Sequence, residues 1–247
     1  MSVSLSRLQA FYGESESIPL LRAMIHNEFK NEVALISSFG ADSALLISLV
    51  AEVNPDTPIL FLDTGKHFPE TLEYVEQLEN LFGLTNLRRL NPDPKLLNNI
   101  DPDGKLWQSQ VNRCCWIRKV EPLDRELAKG EFKALITGRK RYQTAQRKDI
   151  DNVELFEDGL FRINPLCTWD KVELKEEFKK RNLPQHPLVE RGYPSIGCAP
   201  CTREVRPDED ERAGRWAHTT DMSGGQKQEC GIHTGGGDGS NWMGGGV

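Results

Sequence analysis

Apolar residues along the first half of the chain change their period repeatedly, and each change marks an element. Leu20, Leu21, Met24, Ile25 and Phe29 recur near helical spacing, so the region up to about residue 32 reads as helical. Val33 to Ile36 is a continuous apolar run, the pattern of a strand covered on both faces. After the small polar stretch Ser37 to Ser43, Ala44 to Val53 resumes as an apolar helix that must be largely buried, and Pro58 to Leu62 is a second strand. Pro69 suits the first turn of a helix that carries Leu72, Val75, Leu78 and Phe82 on one face and closes at Gly83. Asn86 to Leu90 follows as a third strand, and residues 91–105, rich in Asn, Pro and Asp, read as a loop. Ile117 to Lys129 is helical up to Gly130, and Phe132 to Thr137 is a fourth strand. Alternating strands and helices predict an α/β fold with a Rossmann-like parallel sheet flanked by helices.

Beyond residue 150 the style changes. Val153 to Phe156 and Leu160 to Ile163 flank Glu157-Asp158-Gly159, a hairpin signal, and Thr168 can cap a helix running to about Arg181. From Leu183 the chain is loop-rich, and residues 224–247 are rich in glycine, which predicts a mobile tail. The expected organisation is one α/β domain over residues 1–223 followed by a flexible tail over 224–247. No internal repeat stands out.

With 247 residues, 38% of them hydrophobic and 28% charged, the chain has an ordinary globular composition. No apolar run approaches the roughly 18–20 residues that cross a bilayer. Met1 to Leu5 lacks the basic start and apolar stretch of a secretory signal, so a cytoplasmic location away from membranes is expected. A net charge of −6 argues against broad nucleic-acid binding, which needs many cationic contacts to phosphates. Arg139, Lys140, Arg141, Arg147 and Lys148 nevertheless concentrate positive charge, either as a solvated loop or as a holder of a small anion.

Candidate chemistry gathers at four places. Ser37-Ser38-Phe39-Gly40-Ala41-Asp42-Ser43 lies between a strand and a helix, where backbone N–H groups and the helix start suit phosphate or sulfate. The alternative is a tight turn in which Asp42 and Ser43 merely cap the helix. The segment resembles the loop of the pyrophosphatase-loop superfamily of adenine-nucleotide enzymes (adenine nucleotide alpha hydrolase-like), usually Ser-Gly-Gly-x-Asp-Ser. Here Ser38 and Phe39 stand at the usual glycine positions, which stiffens the loop and weakens an ATP-using reading. Leu62-Asp63-Thr64-Gly65 ends the second strand, and Thr137-Gly138-Arg139 ends the fourth. Ligands of open parallel sheets lie outside such strand ends, so both stretches should reach one rim with the first loop, the alternative for Leu62 to Gly65 being a plain strand-end turn.

Six cysteines in a reducing compartment are not a disulfide framework. Cys114-Cys115 and Cys198-Ala199-Pro200-Cys201 supply four thiols that suit tetrahedral zinc or an iron–sulfur cube, or remain unligated. Adjacent cysteines diverge, which favours the separate iron corners of a cube over one zinc. Cys167 has no partner in sequence and reads as a packing residue, whereas Cys230 in Glu229-Cys230-Gly231-Ile232-His233 sits in the tail, either as a tethered thiol free to visit a substrate or as an incidental surface cysteine.

Cys114-Cys115 with Arg118-Lys119 and Pro122-Leu123, then Cys198-x-x-Cys201, then Glu211-Arg212-Ala213-Gly214-Arg215-Trp216, then Glu229 to His233, together resemble the assimilatory adenylyl-sulfate (APS) reductases. The resemblance runs from the loop near residue 37 to His233. It implies that Cys230 attacks the sulfate sulfur of adenosine 5′-phosphosulfate, releasing AMP and leaving an S-sulfocysteine, which thioredoxin or a similar dithiol protein resolves to sulfite. It implies further that Cys114, Cys115, Cys198 and Cys201 hold a 4Fe–4S cluster as a structural and electrostatic element. Lys119 would bridge cluster and phosphosulfate, with Arg147, Arg212, Arg215 and His233 completing the anion pocket. Ser37, Ser38, Gly40, Asp42, Ser43, Leu62, Asp63, Thr64, Gly65 and Gly138 are the remaining candidate substrate contacts. The family also suggests a homo-oligomer.

Three rivals remain in view. The 3′-phosphoadenylyl-sulfate (PAPS) reductases share fold and tail cysteine but typically lack both cysteine pairs. An iron–sulfur tRNA-thiolating enzyme would need ATP and a large basic surface. A nucleotide-binding iron–sulfur sensor would make Cys230 dispensable.

Overall fold

A six-stranded sheet forms the frame, in the order β3-β2-β1-β4-β6-β5, with β1 Val33–Ser37, β2 Ile59–Leu62, β3 Leu87–Leu90, β4 Ala134–Ile136, β5 Val153–Leu155 and β6 Phe161–Ile163. The computed structural model describes residues 3–218 together with 227, 231 and 232. β1 pairs in parallel with β2 and β4, β4 pairs in parallel with β6, and β5 joins β6 as an antiparallel edge. Every residue of β1 is buried, as its unbroken apolar run requires. The hairpin turns at Gly159, whose φ of +78° is a backbone state that glycine adopts without a steric penalty.

The chain groups into two compact units, one of Met1–Phe61, Glu73–Arg88 and Gly130–His186, the other of Leu62–Leu72, Arg89–Lys129 and Pro187–Val247. In the first, the expected N-terminal helical region is α1 Leu5–Tyr12, α2 Ser17–Ala23 and a π-helical turn at Met24–Glu28. α3, Ser43–Val53, is buried continuously from Ala44 to Val50. α4, Pro69–Phe82, ends before Gly83 at φ +60°, as its sequence indicates.

Three expectations need correction. Residues 91–105 are not all loop, because α5 occupies Pro94–Ile100: Asp93 accepts the N–H groups of Lys95 at 2.8 Å and Leu96 at 2.9 Å, and Pro94 fits the first turn. Helix also begins well before Ile117. α6 is Leu106–Ser109, and α7, Val111–Cys115, runs through a π-helical turn, Trp116–Val120, into α8, Glu121–Leu127. Pro122 has no N–H to give, and the widened turn falls just ahead of it, so helix continues where a strict α pattern would break. Finally, α9 spans Lys171–Lys180 and is capped by Asp170, not Thr168. The Asp170 carboxylate accepts from Val172 at 2.7 Å and Glu173 at 2.9 Å, while Glu173 accepts the Asp170 N–H at 2.7 Å.

Among the described residues no helix is long and apolar enough to cross a membrane. Cys167 is buried, and its thiol donates to Asn152 Oδ1 at 3.0 Å, in keeping with a packing role.

Candidate active site

The loop after β1 belongs to the first unit. Ser37 closes the strand, and its hydroxyl accepts the Phe39 N–H at 3.1 Å; Ser43 N–H donates to the Gly40 carbonyl at 3.0 Å. Ser38 is exposed. Of the two residues standing where glycine is usual, only Phe39 takes left-handed backbone, at φ +48°. Its ring is fully buried and meets Phe61 edge-on at 5.2 Å, so apolar burial holds a conformation that glycine would adopt without strain.

Asp42 stands at the start of α3 but makes no side-chain cap. Its carboxylate pairs instead with the buried Lys140 ammonium at 3.0 Å, and Lys140 also donates to the Gly138 carbonyl at 3.3 Å. Gly138 itself faces α3, where an added Cβ would sit 3.6 Å from Leu46. Much of the positive charge at 139–148 is already engaged within this unit. Arg139 is buried against Glu154 at 2.5 Å and Asn164 at 3.1 Å, and burial pulls its pKa down despite Glu154. Arg141 lies 3.6 Å from Asp151, and Arg147 donates to Gln143.

In the second unit all four paired cysteines line one hollow, together with Lys66, Arg118, Lys119, Arg215 and the indole of Trp216. α7 presents Cys114 and Cys115, and a single 3-10 turn, Ala199–Cys201, sets the spacing of Cys198 and Cys201. The Ala199 N–H donates to the Lys66 carbonyl at 2.8 Å, which ties the Cys-x-x-Cys turn to the segment after β2. Thr64 strengthens that tie. Its hydroxyl oxygen accepts the Lys66 N–H at 3.2 Å and lies 3.3 Å from Cys198 Sγ, so its proton is available to the sulfur.

Behind the helix, Arg118 donates to Asp101 at 2.6 Å and to the Thr64 carbonyl at 2.8 Å, all of it buried. Gly65 follows at φ +66°, a backbone state that favours glycine. Asp63 accepts the Gly65 N–H at 3.2 Å. Arg215 threads past Gly197, where a Cβ would come within 2.4 Å of the guanidinium, and it reaches the Ile196 carbonyl at 3.1 Å while stacking on Trp216 at 4.5 Å. Arg212 is half-buried, its N–H held by Asp210 at 2.8 Å.

The thiols divide electrostatically. Burial, then the other cysteines, pushes Cys114 and Cys201 up to about 12. Burial opposes the Cys198 thiolate too, but Lys119, the Thr64 hydroxyl, Arg215 and Arg118 outweigh it and hold its pKa below the usual thiol range. Burial and Lys119 likewise lower the pKa of His67. Among the described residues no group of three or more His, Cys, Asp or Glu side chains is arranged to hold a metal ion.

The structure therefore brings Thr64, Lys119, Arg215 and the four cysteines together in one unit, and Ser37, Gly40, Asp42, Ser43 and Gly138 in the other. Leu62 is buried at the end of β2. Cys230 and His233 lie outside the described residues. Sequence reasoning quoted Arg118 only as a neighbour in a motif and passed over Asp101, Lys66 and Gly197. A charged residue inside an apolar helical run was the available signal for Arg118; nothing local marks its distant partner Asp101.

Sheet order and strand-end loops together define an α/β protein of the adenine nucleotide alpha hydrolase-like class. A family model described as the phosphoadenosine phosphosulfate reductase domain matches residues 32–204, and the chain belongs to that family. An adenosine 5′-phosphosulfate reductase of Mesorhizobium japonicum is 44% identical over 93% of this chain and 87% of its own length. Another so named, from Chelativorans sp., is 43% identical over 92% and 89%. A PAPS reductase structure from Candida auris, a phosphate complex, superposes with a TM-score of 0.68 at 24% identity, covering 83% of this chain and 99% of that one, which shows the shared fold.

Proposed function

We propose that this chain reduces adenosine 5′-phosphosulfate to sulfite and AMP. The observation that carries the reading is the single hollow in which four thiols meet Lys119 and Arg215, in a chain 44% identical to a reductase of that name. The Cys230 thiolate attacks the sulfate sulfur, the S–O bond to the AMP phosphate breaks, and AMP leaves with the bonding pair. A thioredoxin-type thiolate then attacks the Cys230 sulfur and expels sulfite. Its second thiol resolves the mixed disulfide, so the two electrons come from the dithiol partner and Cys230 returns as a thiol. Lys119, Arg212 and Arg215, with His233, hold the phosphosulfate and stabilise the charge gathering on the departing phosphate.

The donor set, four thiols lining one hollow, is what supports proposing a 4Fe–4S cluster there. One zinc would draw its sulfurs to within about 2.3 Å of a single centre, whereas a cube takes one thiolate per iron corner around a larger volume. Cys114, Cys115, Cys198 and Cys201 would hold it, with the Thr64 hydroxyl on the Cys198 sulfur. Such a cluster would supply a fixed charge and a rigid scaffold beside the substrate. A thioredoxin-linked cycle also fits the reducing cytoplasm.

The test is sulfite release with reduced thioredoxin, comparing the two nucleotides. Turnover of adenosine 5′-phosphosulfate in clear preference to its 3′-phosphorylated form is expected. The reverse preference would make the protein a PAPS reductase, and no sulfite from either would defeat the reading. Iron and acid-labile sulfide should be present in equal amounts; stoichiometric zinc in a colourless protein would overturn the cluster.

A further inference from the structure

We infer that Lys227 is a positioning residue, a side-chain anchor that fixes the segment leading to Cys230 against the unit carrying the thiol-lined hollow. The inference rests on the functional reading above and goes beyond it, because it assigns how the attacking thiol is kept within reach.

Lys227 is only 6% exposed, which is rare for a lysine in a stretch flanked by glycines. Its ammonium donates to Asn112 Oδ1 at 2.6 Å and lies 5.6 Å from the centre of the Trp216 ring. Trp216 lines the hollow, and Asn112 belongs to the helix that presents two of its cysteines. Asn112 sits in α7 two residues before Cys114, and Trp216 packs with Cys115 and Cys201 while its N–H donates to the Cys201 carbonyl at 2.9 Å. The anchor is thus referenced to the same helix and the same turn that present the cysteines.

Chain geometry turns this into a statement about reach. Two residues separate Lys227 from Cys230, and the three residue steps between them span at most about 11 Å when fully extended. Fixing Lys227 therefore confines the origin of that short tether. Removing the anchor takes away that fixed origin, which lowers the effective concentration of the thiol at the substrate.

The experiment uses the full chain with its cluster and compares wild type, Lys227→Ala, Lys227→Arg, Asn112→Ala and the double alanine variant. Each is mixed once with adenosine 5′-phosphosulfate in the absence of reductant. Two readouts are taken: the rate of sulfonate addition to Cys230 by intact mass, and the affinity for AMP. Lys227→Ala should slow addition by at least about tenfold, the loss expected for a charge-assisted hydrogen bond, with AMP affinity changed less than twofold. Lys227→Arg should recover most of the rate, and the Asn112→Ala loss should not add to that of Lys227→Ala. A wild-type rate in Lys227→Ala overturns the anchor and leaves the reductase reading standing. Equal loss of addition rate and AMP affinity also overturns it, by making Lys227 a general structural residue. A wild-type chain that forms no adduct sinks the reductase reading, and the anchor falls with it.

Discussion

Arg118 and Asp101 form an ion pair at 2.6 Å with both side chains buried, joining the helix that continues from the cysteine pair to the start of α6. The second Asp101 oxygen accepts the Leu106 N–H at 2.9 Å, and Arg118 passes the constraint on to the Thr64 carbonyl. Thr64 in turn meets the Cys198 sulfur, so one buried pair fixes both cysteine-bearing segments. Removing one partner of a buried pair leaves the other charge uncompensated. Asp101→Asn should destabilise the protein by about 3–5 kcal/mol. The readout is a lower urea midpoint at unchanged slope; a shift equivalent to less than about 0.5 kcal/mol, the scale of an ordinary surface substitution, would show that the pair is not what holds these segments.

Phe39 sets strain against burial. Replacing it with glycine relieves a left-handed residue, worth about 1–2 kcal/mol, but deletes a fully buried ring, which costs about 3–5 kcal/mol. Burial wins, so Phe39→Gly should lower stability by roughly 1–4 kcal/mol in the same urea experiment. A stabilised variant would mean that the ring against Phe61 contributes little.

The sheet was legible because its strands are continuous apolar runs between small polar turns, and Val33 to Ile36, Ile59 to Leu62 and the 153–163 hairpin lie where those runs fall. Helix starts were harder. Thr168 and Asp170 both offer a capping oxygen, and only the reciprocal bond from Glu173, three residues after Asp170, decides between them. The cysteine spacing picked out two pairs of thiols, and all four line one hollow. It did not announce the Arg118–Asp101 pair or the passage of Arg215 beside Gly197, because such contacts depend on how distant segments pack.

That capping choice is measurable. Asp170→Ala should cost about 1 kcal/mol and lower the melting temperature, whereas Thr168→Ala should stay within about 0.5 kcal/mol. The opposite ranking would return the helix start to Thr168.

Glu209 carries a pH signature. Hydrogen bonds from the Arg203 guanidinium and then the Arg206 N–H hold its carboxyl down to about 2 from an ordinary 4.5. With the folded value depressed, its stabilising contribution is complete above the ordinary value and disappears as pH falls through the folded one. A carboxyl-resolved NMR titration should therefore find Glu209 still ionised at pH 3, the approximate middle of that window. A midpoint near 4.5 would show that the Arg203–Glu209 contact, at 2.8 Å, does not persist in solution.

The most direct test of the proposed chemistry is intact mass spectrometry after adding adenosine 5′-phosphosulfate without any dithiol. The account predicts one sulfonate-sized adduct located at Cys230, stoichiometric release of AMP, loss of the adduct as sulfite when reduced thioredoxin is added, and no adduct in Cys230→Ser. An unmodified wild-type chain, or an adduct that survives in Cys230→Ser, would contradict it.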